Sequence, residues 1–145
     1  FMTHPEEWYP LKSNQVISSP EVKIIKDSLY ELLDENDHKT ISMIAVPAIR
    51  NPSLRYGGLY YDKDKALMRS KIESIFKIAL MMGHDSLVLG ALGCGAFHNP
   101  PHGVAEIFKS LIHYYGKYFK KIGFAILCVK DSDSENLRAF ESVVD

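Results

Sequence analysis

What most restricts this chain is an alternation of short apolar runs with longer amphipathic stretches. Ile41-Ser42-Met43-Ile44-Ala45-Val46 stops at Pro47, and Ser86-Leu87-Val88-Leu89-Gly90 and Ile122-Gly123-Phe124-Ala125-Ile126-Leu127-Cys128 are runs of the same kind. Nearly unbroken apolarity over so few residues predicts inner strands covered on both faces. Between them the period changes. Over residues 64–82, Met68, Ile72, Ile75, Phe76, Ala79 and Met82 recur at three- and four-residue spacing, and Gly83 follows as a stop. Over residues 101–115 the stripe is Val104, Ile107, Phe108, Leu111, Ile112 and Tyr115, with Asn99 placed to cap, Pro100 and Pro101 suited to the first turn, and Gly116 at the end. A last short helix is predicted near residues 134–143, with Leu137 and Phe140 facing inward. Strand–helix–strand–helix–strand–helix is the order of an α/β fold with a mostly parallel sheet and crossover helices.

One segment is ambiguous. Val22, Ile25, Leu29 and Leu32 suit a helix started by Ser19-Pro20-Glu21, yet the stretches 15–18 and 22–25 read equally well as extended. No repeat, low-complexity tract or linker interrupts the chain, so its 145 residues form one domain spanning residues 1–145. With 17 basic and 18 acidic residues the net charge is −1, which gives no general attraction to nucleic acid or membrane. Lys117, Lys120 and Lys121 form only a small basic cluster, of the kind that is usually a solvated face. No apolar run approaches the ~18 residues of a membrane span. The start of the chain has neither the basic region nor the apolar stretch of a signal peptide, and Phe1 before Met2 fits either an added residue or a piece of a longer chain. Two cysteines, Cys94 and Cys128, point to free thiols in a cytoplasmic or otherwise reducing compartment.

The chemistry concentrates in residues 89–101, Leu-Gly-Ala-Leu-Gly-Cys-Gly-Ala-Phe-His-Asn-Pro-Pro. This segment leaves a buried strand, passes Gly90, Gly93 and Gly95, and enters a helix. Glycines let the backbone approach a ligand, and successive N–H groups in such a turn make a concave anion site. In open parallel sheets ligands sit where strands end at their carboxyl termini, which is where this loop falls. The spacing matches neither the dinucleotide fingerprint nor a P-loop. A plain tight turn is the alternative reading. Phe97 is placed either to cover a ribose or base or to pack on the next helix. Cys94 lacks an evident activating partner and reads as a small loop filler rather than a nucleophile. His98 and His102 have ligand-like spacing, but prolines interrupt it and no carboxylate or thiol set joins them, so no metal is expected. Asp62 and Asp64 read as helix caps, and Asp131 and Asp133 as a polar loop.

At this loop the sequence resembles a macrodomain, and more narrowly the microbial-type poly(ADP-ribose) glycohydrolase-like branch. Arg55-Tyr56, Lys65-Ala66-Leu67-Met68-Arg69-Ser70-Lys71-Ile72 and Ile75-Phe76-Lys77-Ile78-Ala79 resemble the helix before the family's loop. His84-Asp85-Ser86-Leu87-Val88-Leu89-Gly90-Ala91-Leu92-Gly93-Cys94-Gly95-Ala96-Phe97 followed by Asn99-Pro100-Pro101 is similar to its signature, and Val104-Ala105, Phe108 and Phe124-Ala125-Ile126 continue the likeness. The resemblance implies a three-layer α/β/α arrangement, extended backbone over residues 16–25, and ADP-ribose or an ADP-ribosylated protein or polymer as partner, with no cofactor. It implies that Gly90, Gly93, Cys94, Gly95, Ala96 and Asn99 surround the diphosphate, that the N–H groups of residues 93–96 face the phosphates, and that Phe97 packs on the distal ribose. Pro47 and Ala48 would floor the pocket, and Val129, Lys130 and Asp131 would lie near the adenosine half.

The departure concerns catalysis. Active members of that family carry an upstream glycine-rich segment ending in Gln-Glu-Glu, whose glutamate does the acid chemistry, and Glu6-Glu7 lacks its preceding Gln and glycines. The likeness therefore covers about the C-terminal two-thirds of the family's domain, and an N-terminally incomplete fold is expected, with no inherited catalytic residue. The leading expectation is a binder that does not cleave alone. The alternatives are one part of a glycohydrolase whose catalytic segment lies upstream or on a second polypeptide that also covers the open sheet edge, or a divergent hydrolase using Asp62, Asp64, Asp131 or Asp133.

Overall fold

In the computed structural model, which describes residue 11 and residues 15–128 and 134–144, the expected α/β order is present. The elements are β1 (Ile17–Ile24), β2 (Lys39–Ala45), β3 (Leu54–Arg55), β4 (Leu59–Tyr60), α1 (Asp62–Met81), β5 (Ser86–Leu89), α2 (Pro101–Tyr115), β6 (Lys121–Phe124) and α3 (Ser134–Val144), with 3₁₀ turns at Glu35–Asp37 and Gly116–Tyr118. The ambiguous segment is extended: β1 runs antiparallel to β2, from Ile17 opposite Ala45 to Ile24 opposite Lys39. Its register breaks between Ser19 and Val22, where Pro20 has no N–H to give and Glu21 takes φ of 57°. A bulge is where a strand tolerates proline.

β5 and β6 pair in parallel, Ser86 with Lys121 through Leu89 with Phe124. Their start is pinned by Asp85, whose carbonyl accepts from the Lys120 N–H at 2.6 Å and whose carboxylate pairs with the Lys120 ammonium. α1 ends as its sequence predicts. Gly83 sits at φ of 76°, and the N–H groups of Gly83 and His84 return to the carbonyls of Leu80 and Ala79, which closes the helix and releases the chain toward β5.

Most of both predicted helical stripes is buried, Met68, Ile72, Phe76 and Ala79 on α1 and Val104, Ile107, Phe108, Leu111 and Tyr115 on α2, while Ile75, Met82 and Ile112 are half-buried. α2 lies between α1 and α3. The Phe108 ring meets Phe124 edge-on at 5.2 Å and Phe140 at 5.9 Å, so α2, β6 and α3 share one aromatic cluster. Each large apolar side chain buried here contributes about 1.5–3 kcal/mol. On α3 the inward residues are Ala139, Phe140 and Val143, whereas Leu137, expected inside, is exposed. The helix caps also differ from expectation. Tyr61, not Asp62 or Asp64, occupies the N-cap of α1, and Asp62 pairs with Arg55 at 3.0 Å.

The strands correct a second expectation. Leu89 belongs to the core, but Val88 on the alternate face is 81% exposed, and Met43 on β2 is 53% exposed. An apolar run reports what a strand is able to bury, not where its cover comes from. Among the described residues, cover reaches one face only. No described helix is long and apolar enough to cross a membrane.

Candidate functional site

The glycine loop is two successive tight turns. Cys94 N–H donates to the Ala91 carbonyl at 3.1 Å, and His98 N–H donates to Gly95 at 2.9 Å. Gly93 joins them at φ of 72°, a left-handed position where a Cβ would lie 2.5 Å from both the Ala48 Cβ and the Asn99 Nδ2. Glycine is therefore required there, by backbone and by space. The N–H groups of Gly95, Ala96 and Phe97 donate to no acceptor among the described residues, and all three residues are exposed. Pro100 and Pro101 remove donors that the start of α2 would otherwise present, so the exposed N–H groups here belong to the loop more than to the helix start.

Asn99 is not the helix cap that its position suggests; Pro100 holds that place without a side-chain bond. Nor is Asn99 open to a ligand, being 2% exposed. Its Oδ1 accepts from the Tyr60 hydroxyl at 2.7 Å, while its Nδ2 donates to the carbonyls of Ile49 at 2.7 Å, Gly93 at 3.1 Å and Phe97 at 3.4 Å. Burial pushes the Tyr60 hydroxyl well above the ordinary phenol range, which keeps it a donor.

The facing wall is the segment after β2. Asn51 donates its N–H to the Phe97 carbonyl at 2.9 Å, and its Oδ1 lies 2.7 Å from the His98 Nδ1. Arg50 holds its guanidinium carbon 5.9 Å from the Phe97 ring centroid, and Phe97 is 37% exposed. A cation and a π face thus share one rim. Both walls follow the carboxyl ends of strands, β2 and β5, as ligand sites in open sheets do.

A cavity of about 1310 Å³ runs between these walls, lined by residues 40–47 and 86–92 with Arg50, Phe97, Ile75 and Ala79 among others. Of the residues singled out from sequence, Pro47, Gly90 and Phe97 line it, and Ala48 packs beneath Gly93. The Cys94 N–H is already spent on the first turn, so it is not a free donor here, and burial pushes its thiol up to about 12. Val129, Lys130, Asp131 and Asp133 lie outside the described residues. No Asp or Glu is among the described residues lining the cavity, Asp62 and Asp64 included.

Sequence reasoning missed Arg50, Asn51 and Tyr60. The first two had one available signal, their place in the loop directly after a strand. Tyr60 had none, because its partner is 39 residues away.

No family model matches the chain, and no curated protein does. Solved structures do. Poly(ADP-ribose) glycohydrolase from Deinococcus radiodurans in complex with ADP-ribose matches in one crystal form with 29% identity and a TM-score of 0.76, over 89% of this chain and 52% of that one. In another crystal form it matches with 26% identity and a TM-score of 0.81, over 99% and 61%. The glycohydrolase from Thermomonospora curvata matches with 27% identity and a TM-score of 0.77, over 97% and 51%. The chain spans between half and five-eighths of the length of these relatives. Over most of its own length, the chain's structural neighbours are thus macrodomain-type microbial poly(ADP-ribose) glycohydrolases.

Proposed function

We propose that the chain binds ADP-ribose or ADP-ribosyl groups through the glycine loop and does not cleave them by itself. The observation that carries this reading is the set of unengaged N–H groups at Gly95, Ala96 and Phe97, opposite Arg50. Those donors suit a diphosphate, the exposed face of Phe97 suits a ribose, and Arg50 adds a charge that a guanidinium shares well with phosphate. ADP-ribose in complexes of the Deinococcus relative supports the choice of ligand. Ribosyl cleavage also needs a carboxyl group in reach of the leaving oxygen, worth roughly 10²–10⁴-fold. The cavity lining offers none among the described residues.

The test is a thermal shift paired with a turnover assay. At a hundredfold excess over Kd, ADP-ribose should stabilise by about 2.7 kcal/mol, a rise of roughly 5–10 °C for a domain of this size. Adenosine should raise Tm much less, and no ADP-ribose should be released from poly(ADP-ribose). Equal shifts for both ligands would overturn the diphosphate reading. Turnover abolished by Asp62→Ala or Asp131→Ala would replace it with a divergent hydrolase.

A second reading is favoured by the shape of the cavity. It exceeds the ~300–1,000 Å³ of a small-molecule pocket, and its long sides are consecutive residues of β2 and β5, each paired with a single neighbouring strand among the described residues. A second polypeptide segment laid along those strands would cover the sheet and could supply the missing acid. Glycohydrolase activity that appears only on adding the part of the Deinococcus enzyme without counterpart here would establish it.

A further inference from the structure

We infer that Tyr60 and Asn99 are positioning residues, a buried latch that aims the free N–H groups of the glycine loop although neither side chain can touch a ligand. The inference rests on the diphosphate-binding reading of that loop. Its basis is where the Asn99 amide spends its bonds. Nδ2 holds the carbonyls of Gly93 and Phe97, which bracket residues 94–96, and the Asn99 backbone N–H adds a second bond to Gly93 at 3.0 Å. The same nitrogen holds Ile49 on the facing wall at 2.7 Å. One side chain therefore fixes both ends of the loop and its distance from the segment that carries Arg50. With those carbonyls drawn inward, the intervening backbone has one side left to present, and residues 95–97 carry their unengaged N–H groups there.

Tyr60 completes the arrangement. An amide offers an oxygen at one end and two N–H donors at the other, and turned the wrong way Asn99 would set its oxygen against three carbonyls. The carbonyls therefore require Nδ2 on the loop side, and the Tyr60 hydroxyl, donating at 2.7 Å, satisfies the buried Oδ1 left at the other end and holds the amide in that turn. Tyr60 is itself placed by the β3–β4 hairpin and by its ring against Gly103, where a Cβ would come within 3.1 Å. Hairpin, helix start, glycine loop and facing wall thus meet at one amide.

Tyr60→Phe keeps the ring and removes only the hydroxyl that satisfies Oδ1 and holds the amide. Asn99→Asp keeps the shape and removes every side-chain donor to the three carbonyls, leaving only the backbone N–H on Gly93. Calorimetric titration of each folded variant with ADP-ribose should show about a fivefold loss for Tyr60→Phe and tenfold or more for Asn99→Asp, the scale of one and of several misaligned hydrogen bonds. Adenosine affinity should change little in either. In ligand-free protein, the ¹⁵N–¹H resonances of Gly95, Ala96 and Phe97 should move in both variants, a readout that does not depend on the ligand. A merely structural role would lower Tm and leave these resonances and the affinity of the folded fraction intact, and that result overturns the inference. If Asn99→Asp does not fold, Tyr60→Phe decides. If the wild type ignores ADP-ribose, the functional reading fails while the resonances still judge the latch.

Discussion

The two ends of the cavity are built on opposite terms. At one end lies irregular backbone, the turns of residues 90–99, held by a buried amide, a required glycine and bonds from the facing wall. At the other lie regular strands, β2 and β5, each with one strand neighbour among the described residues and with Met43 and Val88 side chains exposed. The loop is the determined part of the site, and the sheet is the part left open. Local stability follows buried contacts and satisfied backbone groups rather than regularity. Unpaired edges are, in turn, what a sheet offers to another strand.

The largest effect should come from the determined end. Gly93→Ala forces a left-handed position, costing ~1–2 kcal/mol, and drives a methyl against Ala48 and Asn99, costing ~1–3 kcal/mol more. Denaturant unfolding should show a combined loss of roughly 2–5 kcal/mol, and a variant as stable as wild type would mean the loop is not pinned. Gly95→Val is the contrasting case. Gly95 has no positive φ, and nothing lies within 4 Å of its added Cβ. Stability should stay within ~0.5 kcal/mol, while ADP-ribose affinity falls tenfold or more as a branched side chain shields the N–H groups. Unchanged affinity would make the loop structural only. The smallest effect belongs to the open sheet. Met43→Thr and Val88→Thr should each shift stability by less than ~0.5 kcal/mol, as at solvated positions. A loss above ~2 kcal/mol in either would show that this face is buried in solution.

Legibility from sequence divided along the same line. Periodicity placed α1 and α2 and their buried stripes, because a helical face is written within the residues that form it. The glycine loop was legible because its residue types are unusual together. What escaped was non-local. An Asn before Pro-Pro looks the same whether it caps a helix or bonds a tyrosine 39 residues earlier. The apolar run of β2 looks the same whether its cover is near in sequence, far away, or on another polypeptide. Leu137 misled for a smaller reason: a helix of 11 residues leaves its stripe loosely defined, and Ala139 and Val143 fit the core where Leu137 does not.

The two thiols divide their chemistry as the cavity divides its structure. Cys94, pushed up to about 12 by burial, keeps very little of its sulfur as thiolate at neutral pH. Cys128 is exposed. An electrophile or oxidant should therefore spend itself on Cys128 and pass over the glycine loop, so its turns are insulated from the redox state of their surroundings. The same inequality should make the chain a one-site substrate for maleimide dyes, with a reporter just beyond β6 and an untouched glycine loop.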